Sequence, residues 1–143
     1  MVIKKIPQED MKKAIELVWR VFLEFEAPDY TEEGIKEFRK TILDEKWVKE
    51  RVFFGAYEEE LLGVIATKDD THIALLFVER KHHKKGIGKK LFQTVKELNT
   101  SHFFTVNSSP YAHEVYKRLG FVDTTKEEQV VNGLRFYPMR MEF

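Results

Sequence analysis

One stretch, residues 72–91, limits most strongly what this chain can fold into. It begins with the apolar run HIALLFV at residues 72–78, which is too short for a typical helix and predicts a buried strand. A basic cluster follows at residues 80–85, and then Gly86-Ile87-Gly88 opens an amphipathic helix. A helix that starts at glycines leaves backbone N–H groups unpaired, with the helix dipole behind them. The stretch therefore predicts an anion site suited to phosphate.

The spacing of these glycines decides which phosphate ligands fit. A P-loop needs Gly-x-x-x-x-Gly-Lys-Ser/Thr, and the residues around Gly86 do not supply it. A dinucleotide fingerprint needs a third glycine three residues after Gly88, where Leu91 stands. The order that remains is a strand, a basic loop, x-x-Gly-x-Gly and a helix.

This order resembles the acetyl-coenzyme A (acetyl-CoA) signature of the GCN5-related N-acetyltransferase (GNAT) family, Arg/Gln-x-x-Gly-x-Gly/Ala. In this chain it reads His83-Lys84-Lys85-Gly86-Ile87-Gly88, with histidine where the family usually has arginine or glutamine. The other reading of the two glycines is a tight turn between a strand and a helix, with the basic run as a solvated loop.

A second motif follows at the distance that the family has. Asn107, Ala112, Tyr116 and then Leu119-Gly120-Phe121 resemble the family's Asn…Ala…Tyr-x-x-Leu-Gly-Phe. The resemblance covers roughly residues 2–143. It implies a mixed α/β (α+β) GNAT acyl-CoA N-acyltransferase fold, with a mostly antiparallel seven-stranded central sheet and helices on both faces.

The hydrophobic periodicity agrees with that fold and predicts the order β-α-α-β-β-β-α-β-α-β-β. The predicted strands are residues 2–6, 52–57, 61–68, 71–78, 102–107, 127–131 and 134–142. The predicted helices are residues 8–25, 31–44 with a Thr31 cap, 86–99, and a last helix that starts at 108–110 and ends at Leu119. No repeat or linker divides the chain, so a single domain over residues 1–143 is expected.

The composition excludes several classes of function. The chain has 24 basic and 24 acidic side chains, and its net charge of zero argues against binding to nucleic acid or an anionic membrane. It has no cysteine, which excludes disulfides, thiolate metal sites and a cysteine nucleophile; no metal is expected. No apolar run reaches the length of a membrane span and no signal peptide is recognisable, so a cytoplasmic protein is expected.

The resemblance implies which residues hold acetyl-CoA. The glycine turn and the basic residues beside it are expected to bind the pyrophosphate. A bulge that separates two parallel strands is expected to expose backbone groups that bind the pantetheine arm. The implied cofactor-binding residues are Phe77, Val78, His83, Lys84, Lys85, Gly86, Ile87, Gly88, Lys89, Asn107, Ala112 and Tyr116.

The same resemblance implies the catalytic residues. Tyr116 is the expected donor of a proton to the departing thiolate. The alternative is that it is an aromatic residue of the core with no catalytic role. His72 stands where some family members carry a catalytic glutamate, so it is the candidate base, with an exposed strand end as the alternative. Glu26 and Asp29 are candidates for holding a cationic amine, and a water chain without a side-chain base is a further possibility. The lack of cysteine favours direct attack in a ternary complex.

The expected function is transfer of acetyl from acetyl-CoA to an amine of a small molecule or peptide. The alternative is a non-catalytic module of the same fold that senses acetyl-CoA. Aromatic and acidic residues at 19–30 suggest an amine held beside rings, which leaves a polyamine, an amino-acid derivative or an antibiotic open. The final hairpin makes a homodimer possible. A nucleic-acid patch at residues 80–90 is disfavoured by the neutral charge.

Overall fold

The structure, a computed structural model, describes residues 1–143 as eight strands and five α-helices. Short 3₁₀ turns precede the first helix, follow it, and come after the fourth strand. In chain order the elements are β1 (Val2–Lys5), α1 (Met11–Phe25), α2 (Glu32–Leu43), α3 (Glu45–Lys49), β2 (Val52–Tyr57), β3 (Leu61–Lys68), β4 (His72–Val78), α4 (Ile87–Leu98), β5 (Phe103–Ser108), α5 (His113–Leu119), β6 (Val122–Asp123), β7 (Gln129–Val131) and β8 (Leu134–Glu142).

The strands are joined in the order β1-β2-β3-β4-β5-β8-β6, and β7 pairs with the first residues of β8. All neighbours are antiparallel except β4 and β5, which run parallel. The mostly antiparallel sheet predicted from the sequence is confirmed. Its seven predicted strands are all present, and β6 is a two-residue addition at the edge.

Helices cover both faces of the sheet, as predicted. On one face α1 and α2 pack over β2, β3 and β4, where the rings of Phe22 and Phe38 stack with centroids 3.9 Å apart. On the other face α4 and α5 pack over the sheet through Leu91, Phe92 and Tyr116. Each fully buried ring or leucine contributes roughly 1.5–3 kcal/mol through burial of apolar surface. The sheet is therefore held from both sides, and its central strand β3 is buried over nearly all its length.

Two helix starts differ from the sequence prediction. The first helix begins at Met11, because Gln8–Asp10 forms a 3₁₀ turn after Pro7. The predicted start of the last helix at 108–110 is wrong: β5 continues through Ser108, which pairs with Tyr137 of β8, and α5 begins at His113. Pairing between strands far apart in the chain thus outweighs the local preference of serine and proline for a helix start.

Two short elements were not predicted. The helix α3 forms because the Asp44 carboxylate accepts hydrogen bonds from the backbone N–H groups of Lys46 and Trp47, at 2.9 and 3.1 Å. The strand β6 forms because Val122 lies opposite Arg140 of β8. Both are too short to show periodicity, so only local capping or tertiary pairing defines them.

The β7–β8 hairpin contacts the segment between α1 and α2. The Tyr30 hydroxyl donates to the Arg135 carbonyl at 3.1 Å, and Arg135 Nη1 donates to the Asp29 carbonyl at 2.8 Å. The Gly133 turn lies so close to Gly34 that a Cβ on Gly34 would be 2.2 Å from the Gly133 carbonyl oxygen. We call these five residues the clasp. It joins two parts of the chain about 100 residues apart, over the edge of the sheet where β4 and β5 end.

None of the five helices combines the length and the apolar composition that a membrane span requires.

Candidate active site

The start of α4 presents unpaired backbone donors. Its first backbone hydrogen bond runs from the Lys90 N–H to the Gly86 carbonyl, at 3.0 Å, and no side chain caps the helix. The N–H groups of residues 87–89 therefore have no partner within the helix. Gly86 has φ of +77°, a left-handed conformation that favours glycine, and a Cβ there would meet nothing within 4 Å. The turn leaves open space beside donors at the positive end of a helix dipole.

The two parallel strands separate beside this turn. They pair only at His72 with Thr105 and at Ile73 with Val106. The register between β3 and β4 then shifts, leaving Ala74 as an extra residue in β4. From Ala74 onward β4 and β5 are no longer joined, so a gap opens between them.

Backbone groups of β4 point into this gap. The Glu79 N–H donates to the Leu62 carbonyl of β3 at 2.9 Å. Because hydrogen-bonded and non-hydrogen-bonded pairs alternate in antiparallel strands, Phe77 also bonds to β3, whereas the backbones of Val78 and Leu76 point away from it. The N–H groups of these two residues are thus available at the gap, next to the start of α4.

A cavity of about 480 Å³ lies between the β4–α4 loop and α5, and we call it the loop cavity. Ten of the twelve residues predicted to bind the cofactor line it, and Lys85 and Asn107 do not. The ten are Phe77, Val78, His83, Lys84, Gly86, Ile87, Gly88, Lys89, Ala112 and Tyr116.

A second cavity, of about 360 Å³, lies beneath the β7–β8 hairpin, and we call it the hairpin cavity. Thirteen of its twenty lining residues are hydrophobic, and Asn107 is at its wall. The clasp residues Tyr30 and Arg135 form part of its boundary. This cavity is therefore mostly apolar and is covered by the contact between the hairpin and the α1–α2 segment.

The two cavities meet at a small set of side chains, which we call the junction. Its members line both cavities: Glu26, Leu76, Phe77, Ala112 and Tyr116. Glu26 and Tyr116 are the two junction residues that can exchange a proton. Both side chains line the two cavities, so each can contact a group bound in either one.

Burial at the junction shifts the acidity of both groups. Removal from bulk water raises the pKa of Glu26 from 4.5 to about 8, and the nearby Asp29 carboxylate adds to this, while a hydrogen bond from Ser109 opposes it. Burial and the Glu26 carboxylate raise the pKa of Tyr116 well above its usual value of 10.0. Glu26 is thus set to exchange a proton slightly above neutral pH, and Tyr116 stays protonated until it meets a strong base.

His72, the base predicted from the sequence, is not brought to the junction. Its Nδ1 lies 2.8 Å from the Thr105 hydroxyl, and the residue lines neither cavity. Burial, Arg51 and Lys68 lower the pKa of the imidazole. The structure places His72 where β4 and β5 are still paired, before they separate. The carboxyl group found at the junction is that of Glu26, which the sequence indicated as a candidate for holding a cationic amine.

His83 is at the loop cavity, but one of its nitrogens is already used. Its Nε2 lies 2.7 Å from the Val78 carbonyl and must donate, because a carbonyl oxygen only accepts. Its ring packs near Phe25, with centroids 4.7 Å apart. His83 therefore closes the end of β4, and it can donate to a phosphate only through Nδ1 of the imidazolium form.

Comparison with known protein families decides the assignment of the chain. Residues 26–143 match the family model described as an acetyltransferase (GNAT) domain. The chain belongs to the GNAT family. The GNAT match begins at Glu26, a junction residue, and includes the β4–α4 turn and the second motif at residues 107–121.

Solved structures of GNAT proteins have the same fold. A GCN5-related N-acetyltransferase from Rhodopseudomonas palustris, also described as a class-II aminotransferase, superposes with a TM-score of 0.86 at 20% identity over 99% of this chain and 95% of its own. The PaiA N-acetyltransferase from Thermoplasma acidophilum, in complex with coenzyme A, gives 0.75 at 18% over 99% and 98%. An aminoglycoside 6'-N-acetyltransferase complexed with coenzyme A gives 0.66 at 14% over 99% and 97%.

Proposed function

We propose that this GNAT protein transfers the acetyl group of acetyl-CoA to an amine by direct attack in a ternary complex. The observation that carries the proposal is the junction. It joins a cavity with an anion-binding helix start to a second, mostly apolar cavity, and it holds one proton acceptor and one proton donor. That two GNAT proteins of this fold are complexed with coenzyme A supports the proposal. A protein that only senses acetyl-CoA would require the loop cavity but not the hairpin cavity.

The residues of the loop cavity fit acetyl-CoA, which supplies an activated acetyl thioester when bound. The N–H groups of residues 87–89, with Lys84 and Lys89, suit a pyrophosphate. The exposed backbone of β4 can pair with the amide groups of a pantetheine arm, as an added strand would. The Val78 N–H is then placed to polarise the thioester carbonyl.

Glu26 is the proposed proton acceptor. An alkylamine has a pKa of about 10.4, so a carboxylate of pKa about 4.5 is a poor base for its ammonium form. The junction raises the pKa of Glu26 to about 8, which reduces the difference between the pKa of this carboxyl and that of the ammonium. Ionised Glu26 holds the ammonium and takes one of its protons, which leaves a neutral amine able to attack.

Tyr116 is the proposed proton donor. The amine nitrogen bonds to the acetyl carbon, the carbon–sulfur bond breaks, and the sulfur keeps the electron pair. Tyr116 protonates that sulfur, and the second proton lost by the nitrogen restores the phenol. An ammonium ion and a thioester thus give an N-acetyl amide, a thiol and one proton, which Glu26 passes to solvent.

Titration calorimetry with acetyl-CoA tests the cofactor site. We expect the wild-type protein to bind it and the Gly86→Glu variant to bind at least about a hundredfold more weakly, since a carboxylate would lie beside the pyrophosphate. Gly86→Ala is the matched control. It carries the same strain of a left-handed residue, about 1 kcal/mol, without the charge. Release of free thiol on addition of amines then separates a transferase from a sensor. A folded wild-type protein that does not bind acetyl-CoA would contradict the proposal.

Ser109 is a positioning residue with a measurable signature. Its hydroxyl accepts from the Ala112 N–H at 3.1 Å, and its hydrogen bond to Glu26 lowers the pKa of that carboxyl. Ser109→Ala is therefore expected to move the alkaline rise of kcat/KM up by roughly 0.5–1 pH unit. Ser108→Ala, which removes the neighbouring buried hydroxyl, is the control. An unchanged pH profile in Ser109→Ala would contradict this role.

A further inference from the structure

The clasp bridges one side of the hairpin cavity. A groove that admits a peptide must be open at both ends, but the clasp joins the two walls of this cavity by two hydrogen bonds, Tyr30 to Arg135 and Arg135 to Asp29. The Gly34–Gly133 approach leaves no space between the walls at that point. With a volume of about 360 Å³, the cavity suits a small molecule rather than a chain that passes through it.

The charges of the cavity favour a cation. Its single lining cation, Arg135, has all three guanidinium nitrogens occupied: Nε and Nη2 donate to Glu128 at 2.5 and 3.0 Å, and Nη1 donates to the Asp29 carbonyl at 2.8 Å. Three of its five N–H donors are therefore engaged, and the Glu128 carboxylate offsets its positive charge. The lining carboxyl groups are those of Glu26 and Glu37.

Glu37 is available to a ligand. It lines the hairpin cavity but not the loop cavity, so it lies away from the junction where Glu26 is found. It takes part in none of the seven ion pairs of the protein. The side chains of Phe38, Leu76 and Phe77 line the same cavity and supply an apolar wall.

We propose that the acceptor is a small diamine. One nitrogen is acetylated at the junction beside Glu26, and the other stays protonated and pairs with Glu37. The apolar wall between contacts the methylene groups that link the two nitrogens, and rings in the wall favour the cation further. This inference rests on the proposed function and names the class of its acceptor.

A matched series of substrates tests it. Linear diamines of about three to six methylenes are compared with the alkylamine and the ω-amino acid of the same length, at saturating acetyl-CoA. We expect kcat/KM for the best diamine to exceed that of its alkylamine by about tenfold or more, because a partly buried charged hydrogen bond gives that discrimination. The ω-amino acid is expected to be the poorest substrate, since its carboxylate meets the Glu37 carboxylate and the nearby Arg135 is already paired with Glu128.

Variants of Glu37 complete the test. Glu37→Gln should lower kcat/KM for the diamine to near the alkylamine value. Glu37→Lys should favour the ω-amino acid instead. Glu33→Gln, an exposed residue on the same helix that does not line the cavity, is the control. Alkylamines acetylated as well as diamines at every length would overturn the diamine inference and leave the transferase function intact.

A binding measurement separates the two proposals when there is no turnover. Diamines alone are expected to raise the Tm of the wild-type protein more than alkylamines do, and to lose this advantage in Glu37→Gln. Failure of acetyl-CoA to bind would overturn the transferase proposal. Equal Tm shifts with diamine and alkylamine would overturn only the diamine inference.

Discussion

Tyr116→Phe is expected to lower kcat by about 10²–10³-fold and to leave acetyl-CoA affinity within about threefold. General acid catalysis contributes about 10²–10⁴ to a rate, and the phenol, which lines both cavities, is the proposed proton donor. The ring itself is retained in the variant. It is 5% exposed and packs edge-on to Phe121 with centroids 5.4 Å apart, so the fold should be preserved. Stopped-flow or steady-state thiol release gives kcat, and calorimetry gives the affinity.

Tyr111→Phe is the matched control for this experiment. Tyr111 lines the loop cavity, stacks near Phe25 and is 46% exposed, but it does not line the hairpin cavity. The same loss of one hydroxyl there should change kcat by less than about threefold, because that hydroxyl lies away from the junction. A Tyr116→Phe enzyme with near wild-type kcat would show that the thiolate leaves without this donor, and the assignment of Tyr116 would be wrong.

The parts of the fold that could be predicted are those that local sequence determines. The β4–α4 turn is one case: a buried run, two glycines and an amphipathic stripe with Leu91 inward are all visible along the chain. The Thr31 cap is another, because its hydroxyl bonds to an N–H only three residues away. Elements defined by distant partners were missed, as with β6, or misplaced, as with the end of β5 at Ser108.

The candidate site also combines residues that local sequence predicts with residues whose position depends on distant parts of the chain. The residues of the glycine turn follow from their spacing, and they line the loop cavity. The role proposed for Glu26 could not be predicted from the sequence, because its raised pKa comes from burial between α1, Ser109 and Tyr116, which folding brings together. His72 had a base-like residue type and position, but the parallel pairing of β4 with β5 keeps it outside the gap. The position of each candidate base relative to the junction depends on the fold, and a single sequence does not give that position.

Glu26→Gln is expected to lower kcat/KM by about 10²–10³-fold at pH 8 and to remove the rise of kcat/KM with pH near 8. The amide cannot take a proton from the ammonium, although it keeps the shape of the side chain. Glu24→Gln is the control, since Glu24 lies two residues earlier in the last turn of α1, is exposed, and pairs with Arg80. A pH profile that still rises near 8 in Glu26→Gln would assign the base elsewhere.

The same variant should be more stable than the wild-type protein at alkaline pH. The folded-state pKa of Glu26, about 8, lies above its ordinary value of 4.5, so the folded state binds this proton more tightly than the unfolded chain does. The wild-type protein therefore loses stability as the pH rises from about 4.5 to 8, and glutamine, which does not ionise, avoids that loss. Each pKa unit of difference between the folded and unfolded states changes the free energy of unfolding by about 1.4 kcal/mol, which corresponds to roughly 3–5 °C in Tm.

We expect the variant to have a higher Tm than the wild-type protein at pH 9, and this difference should shrink towards pH 5. A gain independent of pH would come from packing rather than from the charge, whereas the expected pattern would show that the folded state disfavours the ionised form of Glu26.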